Sequence, residues 1–272
     1  MRKLVAALAC RVGGQRLYGK PLQMLDLERR VTVLDHMIDW IRTEPVIDDI
    51  VLGVADGPEN EPFHDVARQR GLRSISGDQI DVLSRLIQCG EAGGATDVFR
   101  TTTESPFTYF EAIASAWERH QASRNDVTNL AAVPDGSGFE IISMETLRRC
   151  HSEGDSRHRS ELCTLYVREH RDEFRVDVIV PPPDVRRPEL RLTIDYPEDL
   201  VLCRRIAEHF RAVAPRIPLA GIVQFLDARP DLQSLVTPYS STEPWYEPDR
   251  ATAAVTADGS SPDAIRPAGE SE

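Results

Sequence analysis

The chain has 272 residues, of which 41% are hydrophobic, and carries a net charge of −12 with a pI near 5.1. This length and composition are typical of a globular protein with one large or two small domains. The acidity argues against a general nucleic-acid binder and against a protein held on anionic membranes, while a local cationic cluster can still bind a nucleotide.

The sequence also limits where the protein is expected to work. No apolar run approaches ~18 residues, so no transmembrane helix is predicted. The apolar run near the N-terminus is too short for a signal peptide, and Arg11 ends it without a small-residue cleavage site. The five cysteines are scattered and form no C-x-x-C pair, which favours a reducing compartment without structural zinc. We therefore expect a cytoplasmic protein.

The first predicted element is a buried strand over residues 4–8, followed by a loop rich in glycine and positive charge. The glycines and cations of this loop are Arg11, Gly13, Gly14, Arg16, Gly19 and Lys20. A strand that ends in such a loop can direct backbone N–H groups and positive side chains at one anion. The pattern predicts a phosphate-rich ligand, and the alternative is a basic surface turn beside a core strand.

The loop is not an ordinary P-loop. Residues 14–20 fit G-x-x-x-x-G-K, but the next residue, which should be a Ser or Thr that binds Mg²⁺, is Pro21. Proline has neither a hydroxyl nor a backbone N–H. Arg16 also places a long side chain in the middle of the loop.

Predicted strands and helices alternate after this loop. Helical spacing covers residues 31–45, 60–71, 79–94 and 107–121, and strands are predicted over 47–56, 72–76 and 96–103. This alternation predicts an α/β fold with a Rossmann-like, mostly parallel sheet covered by helices on both faces. Ligands of such sheets lie beyond the carboxyl ends of the strands, where the loops after residues 8 and 103 meet.

Two acidic residues follow predicted strands. Glu104 follows VFRTTT, and Asp195 follows RLTI. Mg²⁺ is held by one or two carboxylates together with phosphate oxygens, so both residues are candidate metal ligands. The alternative for Asp195 is a helix cap, because Pro-Glu-Asp begins shortly after it. The alternative for Glu104 is a solvated acid at a strand end.

The remaining segments have distinct patterns. Residues 127–150 contain a Pro-Asp-Gly turn followed by a predicted strand and helix. Asp78 directly precedes the predicted helix over residues 79–94 and is placed to cap it. Residues 200–235 are predicted to be helical. The composition of residues 239–272 predicts a disordered tail.

Several segments together resemble one known family. ACRVGGQRLYGKPL resembles the A-R-x-x-S-x-R-L-P-G-K-P-L pattern of the cytidylyltransferase family, which includes the CMP-sialate and CMP-KDO synthetases. Gly14 stands where that family usually has Ser. RLTIDYPEDL and FRTTTESPF resemble R-L-T-V-D-T-P-E-D-L and V-R-I-T-G-D-C-P-L of the family's spore-coat polysaccharide branch, with Glu104 in place of Asp. Residues 76–91 and 160–176 also resemble segments of that branch, with Leu162 in place of a family His.

The resemblance implies a CTP-dependent nucleotidyltransferase, in which an acceptor oxygen attacks the α-phosphorus of CTP and pyrophosphate leaves. It implies catalytic roles for Arg16 and Lys20, and Mg²⁺ bound by Glu104 and Asp195. The implied nucleotide-binding residues are Ala9, Cys10, Arg11, Gly13, Gly14, Asp81 and Arg100. The implied acceptor-binding residues are Glu140, Glu161 and Tyr166.

The same resemblance implies a nucleotidyltransferase domain over residues 1–238, with an acceptor-pocket and dimerisation segment at 127–180, and a homodimer. The expected acceptor is an acidic sugar, a sugar or polyol phosphate, or a phosphonate, used in cell-surface glycan or glycolipid synthesis. Two alternatives stay open at this point. One is a sugar-1-phosphate guanylyl- or uridylyltransferase, and the other is a relative that binds a nucleotide without turnover.

Overall fold

A seven-stranded sheet organises the part of the chain that the computed structural model describes, residues 2–14 and 16–240. In chain order the strands are β1 (Leu4–Cys10), β2 (Met24–Asp26), β3 (Val31–Thr32), β4 (Asp49–Ala55), β5 (Arg73–Gly77), β6 (Asp97–Arg100), β7 (Val127–Leu130), β8 (Glu140–Ser143) and β9 (Val176–Ile179). The sheet order is β5-β4-β1-β6-β8-β7-β9, and β2 pairs with β3 in a separate antiparallel hairpin.

Most neighbouring strands of the sheet run parallel, as the alternating sequence pattern predicted. The pairs β1–β4, β1–β6, β4–β5 and β7–β9 are parallel, whereas β8 runs antiparallel to both β6 and β7. The carboxyl ends of β1, β6 and β7 and the amino end of β8 therefore meet at one edge of the sheet.

Helices cover both faces of the sheet. They are α1 (Val33–Ile41), α2 (Glu61–Arg70), α3 (Val82–Gly93), α4 (Ile113–Ser123), α5 (Met144–Glu153), α6 (Leu165–Glu169), α7 (Pro197–His209), α8 (Leu219–Asp227) and α9 (Pro230–Val236). The apolar residues of α3, α5 and α6 pack on one face, and those of the other helices pack on the opposite face. The predicted fold class is confirmed.

Strand β1 shows why the sheet must be covered twice. Leu4, Ala6 and Leu8 belong to the core on one face, and Val5 and Ala7 belong to the core on the other. Successive side chains of a strand point to opposite faces, so an unbroken apolar run can be buried only between two layers of helices. All five side chains are fully buried, which confirms the predicted core strand.

Two local predictions are wrong. RLTI (191–194) forms no strand and makes only an isolated bridge between Arg191 and Asp135, because it lies along a loop rather than beside another strand. The cap of α3 is Asp81, whose carboxylate accepts a hydrogen bond from the Ser84 N–H at 2.8 Å. Asp78 instead closes the preceding turn, since its carboxylate accepts hydrogen bonds from the N–H groups of Ile80 and Asp81.

The predicted tail begins inside the described region. Tyr239 lies in a short 3₁₀ turn and stacks on Tyr196, with ring centroids 3.9 Å apart. The rest of the predicted disordered tail, residues 241–272, lies outside the described residues, and the domain boundary at 238 stays a prediction. Across residues 2–14 and 16–240, no helix has both the length and the apolar character that crossing a membrane requires.

His36 on α1 predicts a pH dependence of stability. The side chain is buried, and burial lowers its pKa to about 4 although a hydrogen bond with the backbone of Pro106 opposes the shift. In the unfolded chain His36 binds a proton below its usual pKa of about 6.5, whereas in the folded chain it stays neutral until about pH 4. Stability is therefore lost as the pH falls through this window.

We expect wild-type protein to lose about 3 kcal/mol more than His36→Gln between pH 7 and pH 4. Urea unfolding of both proteins at several pH values measures this difference. Parallel pH profiles for the two proteins would show that His36 does not carry the effect.

Candidate active site

The loop after β1 folds back on itself so that Lys20 faces the carboxyl edge of the sheet. The Gly19 N–H donates to the Val12 carbonyl at 2.9 Å, and Gly19 has a φ of 60°, in the left-handed region that glycine adopts most easily. The Val12 N–H donates to the side chain of Asn60 at 2.8 Å. A Cβ on Gly14 would lie 2.5 Å from the Leu17 carbonyl oxygen, so any larger residue here would require the loop to shift.

Backbone contacts hold two other segments beside this loop. The Thr103 hydroxyl donates to the Ala9 carbonyl at 2.9 Å, which fixes the loop after β6 to the end of β1. The Ile194 N–H donates to the Glu104 carbonyl at 2.9 Å, which places Asp195 next to Glu104. The two predicted metal ligands are thus brought together from positions far apart in the sequence.

Lys20 joins these two carboxylates. Its ammonium nitrogen lies 2.6 Å from Asp195 Oδ1 and 3.3 Å from Glu104 Oε2. The Lys20 side chain is 15% exposed, and those of Glu104 and Asp195 are 28% and 20% exposed. A cation therefore lies between two partly buried carboxylates at the edge where such folds bind ligands.

Arg191 is the second cation of the cluster, and the sequence interpretation missed it. Its guanidinium donates to Asp195 at 2.6 Å, to Asp135 at 2.8 Å and to Asp199 at 2.9 Å. Asp135 comes from the Pro-Asp-Gly turn after β7, and its backbone bonds to the segment around Arg191 in both directions. A planar guanidinium with several donors can hold three carboxylates in fixed orientations.

The alternative interpretation of Asp195 as a helix cap does not fit this arrangement. The backbone N–H groups of Asp195 and Tyr196 both donate to the Asp199 carboxylate, at 2.8 and 2.9 Å. Asp199 therefore caps the first turn of α7. The Asp195 carboxylate bonds to Lys20 and Arg191 instead.

The cations set the protonation of the cluster. Burial tends to raise the pKa of Asp195, but the hydrogen bonds and charges of Lys20 and Arg191 outweigh it, so this pKa lies below its usual value. Burial raises the pKa of Glu104 even though Lys20 opposes the shift. Burial would lower the pKa of Lys20, but Glu104 and Asp195 more than compensate and raise it. Lys20 is therefore firmly protonated, and Asp195 is firmly ionised.

Arg16, the other predicted catalytic residue, lies over an aromatic ring at the same edge. Its guanidinium carbon is 4.8 Å from the centroid of the Tyr196 ring, and Tyr239 stacks on that ring at 3.9 Å. A guanidinium at this distance is attracted to the face of an aromatic ring. Because Tyr196 follows Asp195 directly, Arg16 is held close to the carboxylate cluster.

A second group of predicted residues lies around Glu140 at the start of β8. Arg100 on β6 donates to the Glu140 carboxylate at 2.8 Å and to the Glu161 carbonyl at 2.7 Å. The Thr164 hydroxyl donates to the other oxygen of Glu140 at 2.6 Å. The Glu161 carboxylate faces Arg11, with 3.6 Å between charged atoms. These contacts join the loop after β1 to the segment that the resemblance assigns to the acceptor.

Other predicted residues have structural partners. The Cys10 carbonyl accepts from buried Arg85, which also donates to the Gly53 carbonyl and so ties β1 to β4. Asp81 caps α3 and accepts from His151 at 2.8 Å. The Tyr166 hydroxyl donates to Glu153 at 2.9 Å. Ala9 accepts the Thr103 bond, and Gly13 lies exposed in the loop. The binding roles of these residues stay predictions.

The donor set fits a divalent cation bound together with a nucleotide. Within residues 2–14 and 16–240, no group of three or more His, Cys, Asp or Glu side chains is arranged to hold a metal ion. Glu104 and Asp195 supply two hard oxygen donors, and both already contact one cation, Lys20 Nζ. Mg²⁺ commonly takes one or two carboxylates and completes its coordination with phosphates and water.

Comparisons with known proteins identify relatives of this chain. No family model matches. The chain is 24% identical to an uncharacterized protein of Methanocaldococcus jannaschii, MJ1063, over 233 residues, 86% of the chain and 94% of that protein. It is 25% identical to the spore coat polysaccharide biosynthesis protein SpsF of Bacillus subtilis over 235 residues, 85% of the chain and 97% of SpsF.

Solved structures agree on the fold. A cytidylyltransferase from Leptospira borgpetersenii superposes with a TM-score of 0.76 at 17% identity, covering 86% of this chain and 97% of that one. The chain has the cytidylyltransferase fold. A CMP-KDO synthetase solved with CTP gives a TM-score of 0.58 at 14% identity, covering 76% and 99%. The manganese complex of Rv0371c from Mycobacterium tuberculosis gives 0.52 at 13% identity, covering 75% and 99%.

The relatives and the solved structures agree with two predictions made from the sequence. They confirm the resemblance to the cytidylyltransferase family that the loop of β1 and the RLTIDYPEDL segment indicated. They also confirm the nucleotidyltransferase type of α/β fold.

Proposed function

We propose that the protein is a cytidylyltransferase that transfers CMP from CTP to a small anionic acceptor and releases pyrophosphate. The observation that carries this proposal is the contact of Lys20 with both Glu104 and Asp195 at the carboxyl edge of the sheet. The glycine-rich, cationic loop after β1 meets the carboxylate pair in a fold similar to that of a solved cytidylyltransferase, which supports the proposal. The SpsF relative supports the same assignment.

The residues of the site would act by position and charge. Arg16 and Lys20 would bind the triphosphate and neutralise the charge that builds up as pyrophosphate leaves. Glu104 and Asp195 would hold Mg²⁺, which supplies charge neutralisation of the phosphate oxygens. Arg191 would keep the Asp195 carboxylate ionised and aimed at the nucleotide. The acceptor oxygen would then attack the α-phosphorus from the side opposite the departing pyrophosphate.

The rest of the nucleotide would lie along the end of β1. The exposed backbone of Gly13 and Gly14 and the side chain of Arg11 are placed to contact phosphate or ribose groups. Cys10, Ala9, Asp81 and Arg100 complete the proposed nucleotide site.

The acceptor would lie toward the segment that contains Glu140, Glu161 and Tyr166. Glu140 is held in place by Arg100 and Thr164, and Glu161 by its contacts with Arg100 and Arg11. We propose an acidic sugar, a sugar or polyol phosphate, or a phosphonate as the acceptor. The name of the SpsF relative supports a place in polysaccharide synthesis.

Pyrophosphate release tests the proposal. The full-length protein with Mg²⁺ is combined with each of the four nucleoside triphosphates and with panels of acidic sugars, phosphorylated polyols and phosphonates. CTP is expected to support release with one acceptor class. Release with GTP or UTP instead would assign the protein to another sugar nucleotidyltransferase class, and no release with any pair would favour a binding protein without turnover.

Two further proposals concern the setting of the protein. We propose a homodimer that pairs through residues 127–180, because closed two-fold pairs are the commonest assembly and the resemblance implies one. Light scattering of the full chain measures its mass. A cytoplasmic location remains a proposal from the sequence.

A further inference from the structure

Lysine is rare in this chain, and one of its two copies occupies the centre of the site. Lys3 and Lys20 are the only lysines of the sequence, which otherwise uses arginine for its positive charges. An ammonium group is a compact point charge with three donors, whereas a guanidinium is a broad planar fork. Lys20 is thus the side chain that most closely imitates a small metal cation.

The oxygens that Lys20 contacts are those that a metal would need. Its nitrogen bonds to Asp195 Oδ1 and contacts Glu104 Oε2, while Arg191 occupies Asp195 Oδ2. In this arrangement both oxygens of Asp195 are already engaged by cations. A divalent ion placed between Glu104 and Asp195 would meet the positive charge of Lys20 at short range, which is strongly unfavourable.

The two cations of the cluster differ in how firmly they are held. Arg191 bonds to three carboxylates and is only 6% exposed. Lys20 contacts two carboxylates, and it is carried by the loop after β1 rather than by a strand or a long helix. Its four-carbon stem allows the ammonium to turn toward another anion without movement of the sheet. Nucleotide phosphates bound in the same loop would supply that anion.

We propose that Lys20 is an internal counter-cation of the Glu104–Asp195 pair that competes with a divalent metal, so that the metal binds there tightly only when Lys20 is drawn away onto the nucleotide phosphates. The proposal rests on the function proposed above. In the free protein the ammonium satisfies the carboxylates. In the complex the metal takes its place, and Lys20 exchanges its carboxylate bonds for bonds to phosphate.

Binding of Mn²⁺ to the full-length protein tests the proposal without any turnover. The paramagnetic resonance signal of free Mn²⁺ is titrated against wild type, Lys20→Met and the control Lys3→Met, each with and without CTP. Met keeps an unbranched side chain that is only one atom shorter and removes its charge. Without CTP, Lys20→Met is expected to bind Mn²⁺ at least about tenfold more tightly than wild type, because the competing charge is gone. Lys3→Met is expected to match wild type.

The outcomes separate this inference from the proposed function. Equal Mn²⁺ affinity of wild type and Lys20→Met without CTP, with tighter binding once CTP is added, would overturn the role of Lys20 and leave the proposed function standing. Absence of Mn²⁺ binding in every protein even with CTP would overturn the metal site itself.

Lysine reactivity of the wild-type protein gives a second measurement that needs no variant. Reductive methylation followed by mass spectrometry compares Lys20 with Lys3 as an internal reference. Lys20 is expected to react slowly in the free protein and several times faster when saturating Mn²⁺ without nucleotide forces its ammonium off the carboxylates. An unchanged rate at saturating Mn²⁺ would contradict displacement.

Discussion

Asp195→Asn is expected to lower turnover by about a hundred- to a thousandfold, because it removes a charge that acts on the reacting phosphates. A neutral amide is a poor ligand for a hard divalent cation, and it no longer attracts Lys20 and Arg191 as an ion. The fold is expected to survive, because asparagine has almost the same size and the first turn of α7 is capped by Asp199.

Steady-state kinetics and the thermal midpoint of the same preparations measure this prediction. Asp65→Asn is the matched control, since it makes the same chemical change at an exposed position on α2, outside the cluster and outside the proposed acceptor segment. It is expected to leave turnover unchanged. Full activity of Asp195→Asn would exclude the carboxylate from the reaction.

Of the substitutions considered, Arg191→Met is expected to lower the free energy of unfolding most, by about 3–5 kcal/mol. The substitution leaves the carboxylates of Asp135, Asp195 and Asp199 without the cation they share, in a site where Arg191 itself is 6% exposed. Burial and the charges of neighbouring acids raise the pKa of Asp135, and Arg191 opposes this shift. Without the guanidinium, nothing in the cluster offsets the cost of burying the ionised Asp135 carboxylate.

Urea unfolding of wild type, Arg191→Met and Arg205→Met measures the effect. Arg205 forms an exposed ion pair with Glu208 on α7, so its removal changes a charge without leaving a buried partner. Its variant is expected to unfold close to wild type. A similar small change for Arg191→Met would show that the carboxylate cluster does not depend on this arginine.

The sequence predicted those features that follow from local pattern. The apolar run of β1 requires cover on both faces, and the alternation of strands and helices places the loops after β1 and β6 at one edge. These two facts place the loops of Lys20 and Glu104 at one edge, whereas the contact between the two side chains also depends on how the loop after β1 folds back on itself. The position of Asp195 in the same cluster was predicted by the family resemblance. The strand pattern could not predict it, because the segment before Asp195 is not a strand.

The features that were missed depend on contacts between distant segments. Arg191 lies four residues before Asp195, and Asp199 lies four residues after it. This spacing does not show that the Arg191 guanidinium also binds Asp135, in a turn more than fifty residues earlier. Asp135 had an adequate local explanation as part of a Pro-Asp-Gly turn. An arginine and a carboxylate as buried as Arg191 and Asp199 must pair, but this burial is visible only in the structure.

Nucleotide selectivity tests the central claim most directly. The thermal midpoint of the full-length protein is measured with Mg²⁺ and each of CTP, UTP, GTP and ATP at equal concentration, so that no acceptor is needed. A ligand at a hundred times its Kd stabilises the folded state by about 2.7 kcal/mol. CTP is expected to raise the midpoint clearly more than the other three nucleotides. Equal shifts with all four, or a larger shift with another nucleotide, would contradict a cytidylyltransferase.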